Sequence, residues 1–369
     1  MKKKHYWLAL LVVLVVVALL WSGCRDKSQT NSSDTIKIGV IVPLTGNAGV
    51  LGDYALKGMQ LAVDEQNAKG GLLGKKIELD IQDSKGDPKE GVSVIKNMLA
   101  QEQKPFLIYS IVSGVTLALK PETEKNKILL MSAVGTDRFL ENSRFTIRNY
   151  VSASTIGQNL ASYLTENLKV RNLVIFYSNN EYGSSVKDAV KKLCEERGLQ
   201  VTVEPYDESS LDYKSLIAAR VGRETQAIYV VGIGKGLGTM FKQIRERGYT
   251  GKIVGDQLMN APDVISVAGD ALKGIPYLDF AFETNSTNPD TKAFVDAFRN
   301  KFHTDPQNFS VIAYDGAKML FGTVENIKTV DGEKLVDALN GIKDYHGVFG
   351  PVFVTDRNVN YTFHFKEWQ

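Results

Sequence analysis

The sequence predicts an α/β protein of two doubly wound parallel-sheet lobes joined by a hinge, and three observations carry that prediction. At 369 residues the chain is longer than one typical domain of roughly 100–200 residues, so two lobes are expected. From Thr35 onward, short β-branched apolar runs alternate with longer segments of helical period, the signature of βα units and a parallel sheet. The alternation runs twice, once before and once after a more irregular stretch at 145–154.

The expected strands are 36–42, 77–82, 106–111, 128–131, 172–177, 199–205 and 227–231. Each is a continuous apolar run, as required where helices cover both faces of a sheet. Helices are expected between them at 53–69, 88–101, 155–168, 182–197 and 236–247. Their ends carry local signals. Asp87-Pro88 offers a cap followed by proline at the first helical position, while Arg197-Gly198 and Arg247-Gly248 put a cation in the last turn and glycine just beyond it. A third block follows Asn285, with helices expected at 289–302, 306–326 and 332–339 and short strand-like runs near Val352 and Tyr361.

The first residues stand apart from this pattern. Lys2, Lys3 and Lys4 precede an uncharged apolar run that ends in Ser22-Gly23-Cys24, so 1–23 reads as a signal peptide. A cysteine at that point resembles the lipobox of bacterial lipoproteins, with Trp21 where leucine is usual, and Cys24 is the expected lipidation site. An uncut signal anchor is the other reading of the same run. Residues 24–34, polar and rich in serine, read as a tether. Both readings place the body outside the cytoplasm, held at a bacterial membrane.

Composition excludes several classes of function. The chain is 43% hydrophobic and 23% charged, with a formal net charge of +2, which fits a packed body and carries no basic excess for a nucleic acid. Gly232-Ile233-Gly234-Lys235-Gly236 follows a strand and precedes a helix, but Leu237 stands where a dinucleotide loop needs its third glycine. His5, His303, His346 and His364 are scattered, and no G-x-S-x-G elbow occurs. With Cys24 in the anchor, Cys194 is left as a lone packed thiol. No cofactor, no metal and no catalytic residue is expected.

Small hydroxyl residues mark two strand-to-helix turns, Ser110 to Thr116 and Ser132 to Thr136. In a parallel sheet such turns lie at the carboxyl edge, where helix-start N–H groups and hydroxyls suit a carboxylate. The same residues also cap helices routinely.

Three stretches go further: 38–46 (Ile-Gly-Val-Ile-Val-Pro-Leu-Thr-Gly), 58–74 (from Gly-Met-Gln-Leu-Ala to Gly-Gly-Leu-Leu-Gly) and 83–88 (Asp-Ser-Lys-Gly-Asp-Pro). With Asn180-Glu181-Tyr182-Gly183, Val254-Gly255-Asp256 and Tyr314-Asp315-Gly316-Ala317, the chain closely resembles the leucine/isoleucine/valine-binding proteins of bacterial ABC transporters, which are type I periplasmic binding proteins. That resemblance implies a three-segment hinge, with lobe one at 36–152 and 279–350 and lobe two at 153–278 and 351–369. It implies a small-molecule ligand in the cleft and permease subunits as partners, although the same fold also serves as a sensory module. By position, Ser113 and Val134, Gly135 and Thr136 fall where the family binds the ligand carboxylate, and Tyr182 falls where an aromatic covers it. Three positions depart. Leu51 and Ile233 replace tyrosines, and Gln257 replaces the glutamate that pairs with the ligand ammonium, leaving neighbouring Asp256 as a substitute. The family disulfide positions fall on Gly86 and Val112. A branched-chain or other apolar amino acid is the ligand implied, with a carboxylate or amide lacking the amine left open by Gln257.

Overall fold

The structure, a computed structural model, describes residues 35–369; the segments expected as signal peptide and tether, with Cys24, lie outside the described residues. The first elements are β1 (Thr35–Val42), α1 (Gly49–Ala68), β2 (Lys76–Asp83), α2 (Pro88–Leu99), β3 (Leu107–Ser110), α3 (Ser113–Asn126), β4 (Leu129–Ser132) and β5 (Thr146–Arg148). Next come α4 (Ala153–Ser162), β6 (Asn172–Ser178), α5 (Glu181–Glu196), β7 (Gln200–Tyr206), α6 (Lys214–Arg220), β8 (Ala227–Val231), α7 (Gly234–Glu246), β9 (Lys252–Gly255), α8 (Pro262–Ala268) and β10 (Pro276–Phe280). The third block holds α9 (Pro289–Phe302), α10 (Asn308–Ile327), α11 (Gly332–Asn340), β11 (Tyr345–Gly347), β12 (Gly350–Thr355), β13 (Asn358–Asn360) and β14 (Phe363–Glu367).

Local chemistry explains several of these boundaries. Asp87 accepts from the backbone N–H of Lys89 at 2.7 Å and of Glu90 at 2.9 Å, starting α2 at Pro88 as its sequence predicts. The pattern expected as one helix at 155–168 is an α-helix to Ser162 followed by a π-helical turn at Tyr163–Asn167. Several elements give no signal of their own in the sequence: α3, whose apolar period is interrupted by Pro121, and the short β5, α6, β9, α8, β10 and β11.

The strands form two sheets, one of order β11-β12-β13-β5-β4-β3-β1-β2 and one of order β14-β10-β9-β8-β6-β7. In the first, β1 pairs in parallel with β3, β3 with β4 and β4 with β5. The second repeats the scheme, with β6 parallel to both β7 and β8, β8 to β9 and β9 to β10. Each sheet thus changes winding direction between its first and third parallel strands, at β1/β3 and at β6/β8. A crevice opens outside the carboxyl ends of the strands at such a switch point, and this fold has two. The segment 351–360, which the resemblance puts in lobe two, pairs in the first sheet instead, β12 antiparallel to β13 and β13 parallel to β5. Only β14 joins the second sheet, as the antiparallel edge of β10.

The chain passes between the sheets three times: after β5, after β10, and between β13 and β14. Phe280, only 1% exposed, sits among the three passages. Its ring centroid lies 5.8 Å from that of Tyr150, 5.6 Å from that of Tyr361 and 4.8 Å from those of Phe349 and Phe363. Beside this cluster the Asn149 side chain donates to the Ile312 carbonyl at 2.7 Å and accepts from the Tyr361 hydroxyl. Replacing Phe280 with alanine should therefore cost about 3–5 kcal/mol, the usual range for deleting a buried aromatic, measurable as a lower urea midpoint at unchanged slope.

Candidate functional site

A cleft of about 470 Å³ lies between the carboxyl edges of the two sheets, within the ~300–1,000 Å³ typical of small-molecule sites. The loops that wall it follow directly from the winding. The turn after β1 contributes Asn47, Ala48 and Leu51, the turn after β3 Ile111, Val112 and Ser113, and the turn after β4 Ala133, Val134 and Gly135. From the facing lobe come Asn180, Glu181 and Tyr182 after β6, Glu208 after β7, and Ile233 after β8. Tyr150, Leu258 and Phe309 close the hinge end. The wall is mostly apolar, with polar groups concentrated at helix starts.

Ser113 opens α3 and is 3% exposed, with its side chain on the cleft wall and no hydrogen-bond partner among the described residues. It therefore presents a hydroxyl beside free helix-start N–H groups. Val134 and Gly135 also line the cleft, and Gly135 packs so closely under the Tyr182 ring that an added Cβ would come within 2.8 Å of it. Thr136 is fully buried and lies off the cleft wall. Its hydroxyl donates to Glu181 at 2.8 Å, and its carbonyl accepts from Arg148 at 2.6 Å. Leu51 and Ile233 both line the cleft, adding apolar surface to it.

The amine half expected at Asp256 and Gln257 is arranged differently. Asp256, 1% exposed, is absent from the cleft wall because the Tyr182 hydroxyl covers it, donating to its two carboxylate oxygens at 3.0 and 2.8 Å. The backbone N–H of Gln257 donates to it as well, at 2.8 Å. Burial pushes the Asp256 carboxyl up to about 7 against these donors. The Gln257 amide nitrogen donates to Tyr150 and Tyr182 at 3.1 Å each, and its amide oxygen has no protein partner. Beside it, Leu51, Tyr150 and Gln257 line a void of about 20 Å³, room for one water molecule.

Glu208 is among the cleft residues that sequence reasoning missed, with Asn47 and Tyr150. It sits on the cleft wall one residue past the β7 loop start, in a run, Asp207-Glu208-Ser209-Ser210, that reads as ordinary polar loop. Its carboxylate accepts from the side-chain amide of Asn180, from that of Asn47 at 3.2 Å and from the Ile233 N–H. Burial raises this carboxyl to about 7, partly offset by those same donors. The signal that could have found it is the glycine-rich turn. A Cβ on Gly236 would meet the Glu208 carbonyl at 2.3 Å, and one on Gly234, which has φ +65°, would meet the Asn47 side chain at 2.5 Å. Those glycines are seats for Asn47 and Glu208. Glu181, also on the wall, is already paired with Arg138 at 3.0 Å.

Buried carboxyls of this kind leave a mark on stability. The folded state of Asp256, and of Asp315 in α10, keeps its proton up to about 7, where an unfolded carboxylic acid has lost it near 4. Folded protein then binds more protons than unfolded protein between about pH 4 and 7, so stability falls as pH rises through that window. The thermal midpoint of ligand-free protein should be higher at pH 5 than at pH 8, and Asp315→Asn should flatten that slope.

Comparison with known proteins agrees with this geometry. The profile of a family described as periplasmic binding protein matches residues 35–367. The chain is 26% identical to the leucine-, isoleucine-, valine-, threonine- and alanine-binding protein of Pseudomonas aeruginosa, over 85% of this chain and 84% of that relative. Among solved structures it is similar to the branched-chain amino acid transporter substrate-binding protein LivJ of Streptococcus pneumoniae, in complex with isoleucine. That likeness has a TM-score of 0.81 and 26% identity, over 91% of this chain and 96% of the other. A solute-binding protein of an ABC transporter from Rhodopseudomonas palustris, in complex with 3,4-dihydroxybenzoic acid, shares the fold, with a TM-score of 0.80 and 21% identity over 91% and 93% of the two chains.

Proposed function

Because the chain belongs to the periplasmic binding protein family, we propose that its cleft captures a branched-chain or other apolar amino acid and delivers it to the permease of an ABC transporter. The observation that carries this reading is the pairing of an apolar wall with Ser113, a hydroxyl at a helix start on the ligand-facing edge of the first sheet. The names of the relatives at 26% identity point to the same ligand class. In this reading the ligand carboxylate meets Ser113 and the backbone at Val134 and Gly135. Leu51 and Ile233 hold the apolar side chain, and Tyr182 covers it. Bending at the three passages closes the lobes, and the closed form is what the permease would recognise.

A second reading is favoured by one observation. Asp256 is covered by Tyr182, and its neighbour Gln257 is neutral, so that corner holds no open anion for an ammonium. A carboxylate lacking the amine would fit it. The dihydroxybenzoate-bound neighbour, at 21% identity, supports the fold and not this ligand.

The body would be tethered outside the cytoplasm through Cys24. Mass spectrometry of membrane-extracted protein should find a mature chain that begins at diacylated Cys24, and an intact Met1 terminus would refute the anchor. For the cleft, thermal-shift and calorimetric titration with amino acids and carboxylates should reveal a binder that raises the melting temperature. Ser113→Ala should then weaken the best ligand tenfold or more, since a hydrogen bond to a buried ion is worth about 1.5–3 kcal/mol. Unchanged affinity would remove Ser113 from the site.

A further inference from the structure

We propose that Glu208 is the anion that recognises the ligand's cationic nitrogen, and that through Asn47 it couples this recognition to lobe closure. The proposal rests on the amino-acid reading above and assigns its amine end to a residue outside the 256–257 corner.

Four observations converge on it. Glu208 lines the cleft, whereas Asp256 lies behind Tyr182 and does not. Its three hydrogen-bond donors, Asn180, Asn47 and the Ile233 N–H, are all neutral, so its charge is oriented without being neutralised. A carboxylate offers about four lone-pair sites, which leaves capacity for a ligand N–H. The other acid of the cleft, Glu181, already has the Arg138 guanidinium and the Thr136 hydroxyl. A largely buried carboxylate without a cation is costly, and a ligand ammonium would remove that cost.

The coupling to closure follows from the chain positions. Glu208 follows β7 and Asn180 follows β6 in the second lobe, while Asn47 follows β1 in the first. The Asn47 to Glu208 hydrogen bond, 3.2 Å long, therefore spans the cleft, and Gly234 leaves the space that Asn47 occupies. A cation seated at Glu208 would hold the carboxylate ionised and strengthen its grip on Asn47. Ser113 stands on the first lobe and Glu208 on the second, so an amino acid bound to both would bridge the two lobes with its two charges.

The test uses three compounds that share one apolar tail: leucine, 4-methylpentanoate, which lacks the amine, and 3-methylbutylamine, which lacks the carboxylate. Calorimetric affinities are measured for the natural protein, Glu208→Gln, Glu208→Asp and Asp256→Asn, with thermal unfolding confirming that each is folded. The expected result is leucine bound at least tenfold tighter than 4-methylpentanoate by the natural protein. Glu208→Gln should abolish that preference by weakening leucine alone, and Glu208→Asp should restore part of it. A leucine preference that survives in Glu208→Gln but vanishes in Asp256→Asn would overturn the proposal while leaving the amino-acid reading intact. Equal affinity for leucine and 4-methylpentanoate, insensitive to Glu208→Gln, would overturn it in favour of an amine-free carboxylate. Binding of 3-methylbutylamine without leucine, lost in Glu208→Gln, would support Glu208 and overturn the amino-acid reading. No binding of any of the three would overturn both.

Discussion

Phe280 and the rings around it stand where three passages of the chain run from one sheet to the other, and the geometry of the cleft depends on that cluster. Each sheet alone exposes a carboxyl edge with helix-start N–H groups and short loops. Two such edges become a binding cleft only if they are held facing one another. Tyr150, Phe280 and Tyr361 come from different passages and pack as one apolar unit, with Asn149 satisfied by the Ile312 carbonyl and the Tyr361 hydroxyl. A joint of this kind is tight at its centre and can bend at the short segments that leave it, which is what capture between two lobes requires.

The second theme is acid placed where it is costly. Glu208 and Asp256 have both been pushed up to about 7 by burial, and neither has a cation against it. They differ in access. Asp256 is enclosed by Tyr182 and the backbone of Gln257, so it organises the wall from behind, while Glu208 reaches the cleft itself. Stability given up at an accessible, oriented charge is characteristic of a site that acts on a ligand. The bonds of Thr136 and Arg138 to Glu181 serve another purpose: they join the lobes at one rim of the cleft with partners that are already matched.

Much of the architecture was legible in the sequence because it rests on local chemistry. The apolar runs became β1 to β4 and β6 to β8, the 289–302 helix has the expected ends, and Asp87 caps α2 through its own backbone neighbours. Signals fail where composition breaks the run. Pro121 interrupts α3, Lys252 and Gly255 bound β9, Pro276 and Asp279 break β10, and the passage after β13 shifts because 351–360 gains its pairing from β5, about 200 residues away in sequence.

At the site, sequence determined the chemistry of single turns: a serine at a helix start, a glycine in the turn after β4, a neutral glutamine beside Asp256. Such features depend on residues within a few positions of one another, and Ser113, Gly135 and Tyr182 line one cleft. Only the tertiary structure decided which polar groups face the ligand space. Thr136 turns to Glu181, Asp256 is covered by Tyr182, and Glu208 is brought to the wall beside Asn180 and Asn47. Those outcomes depend on hydrogen bonds between residues 45, 74, 28 and 161 positions apart, and a sequence read locally carries no measure of such distances.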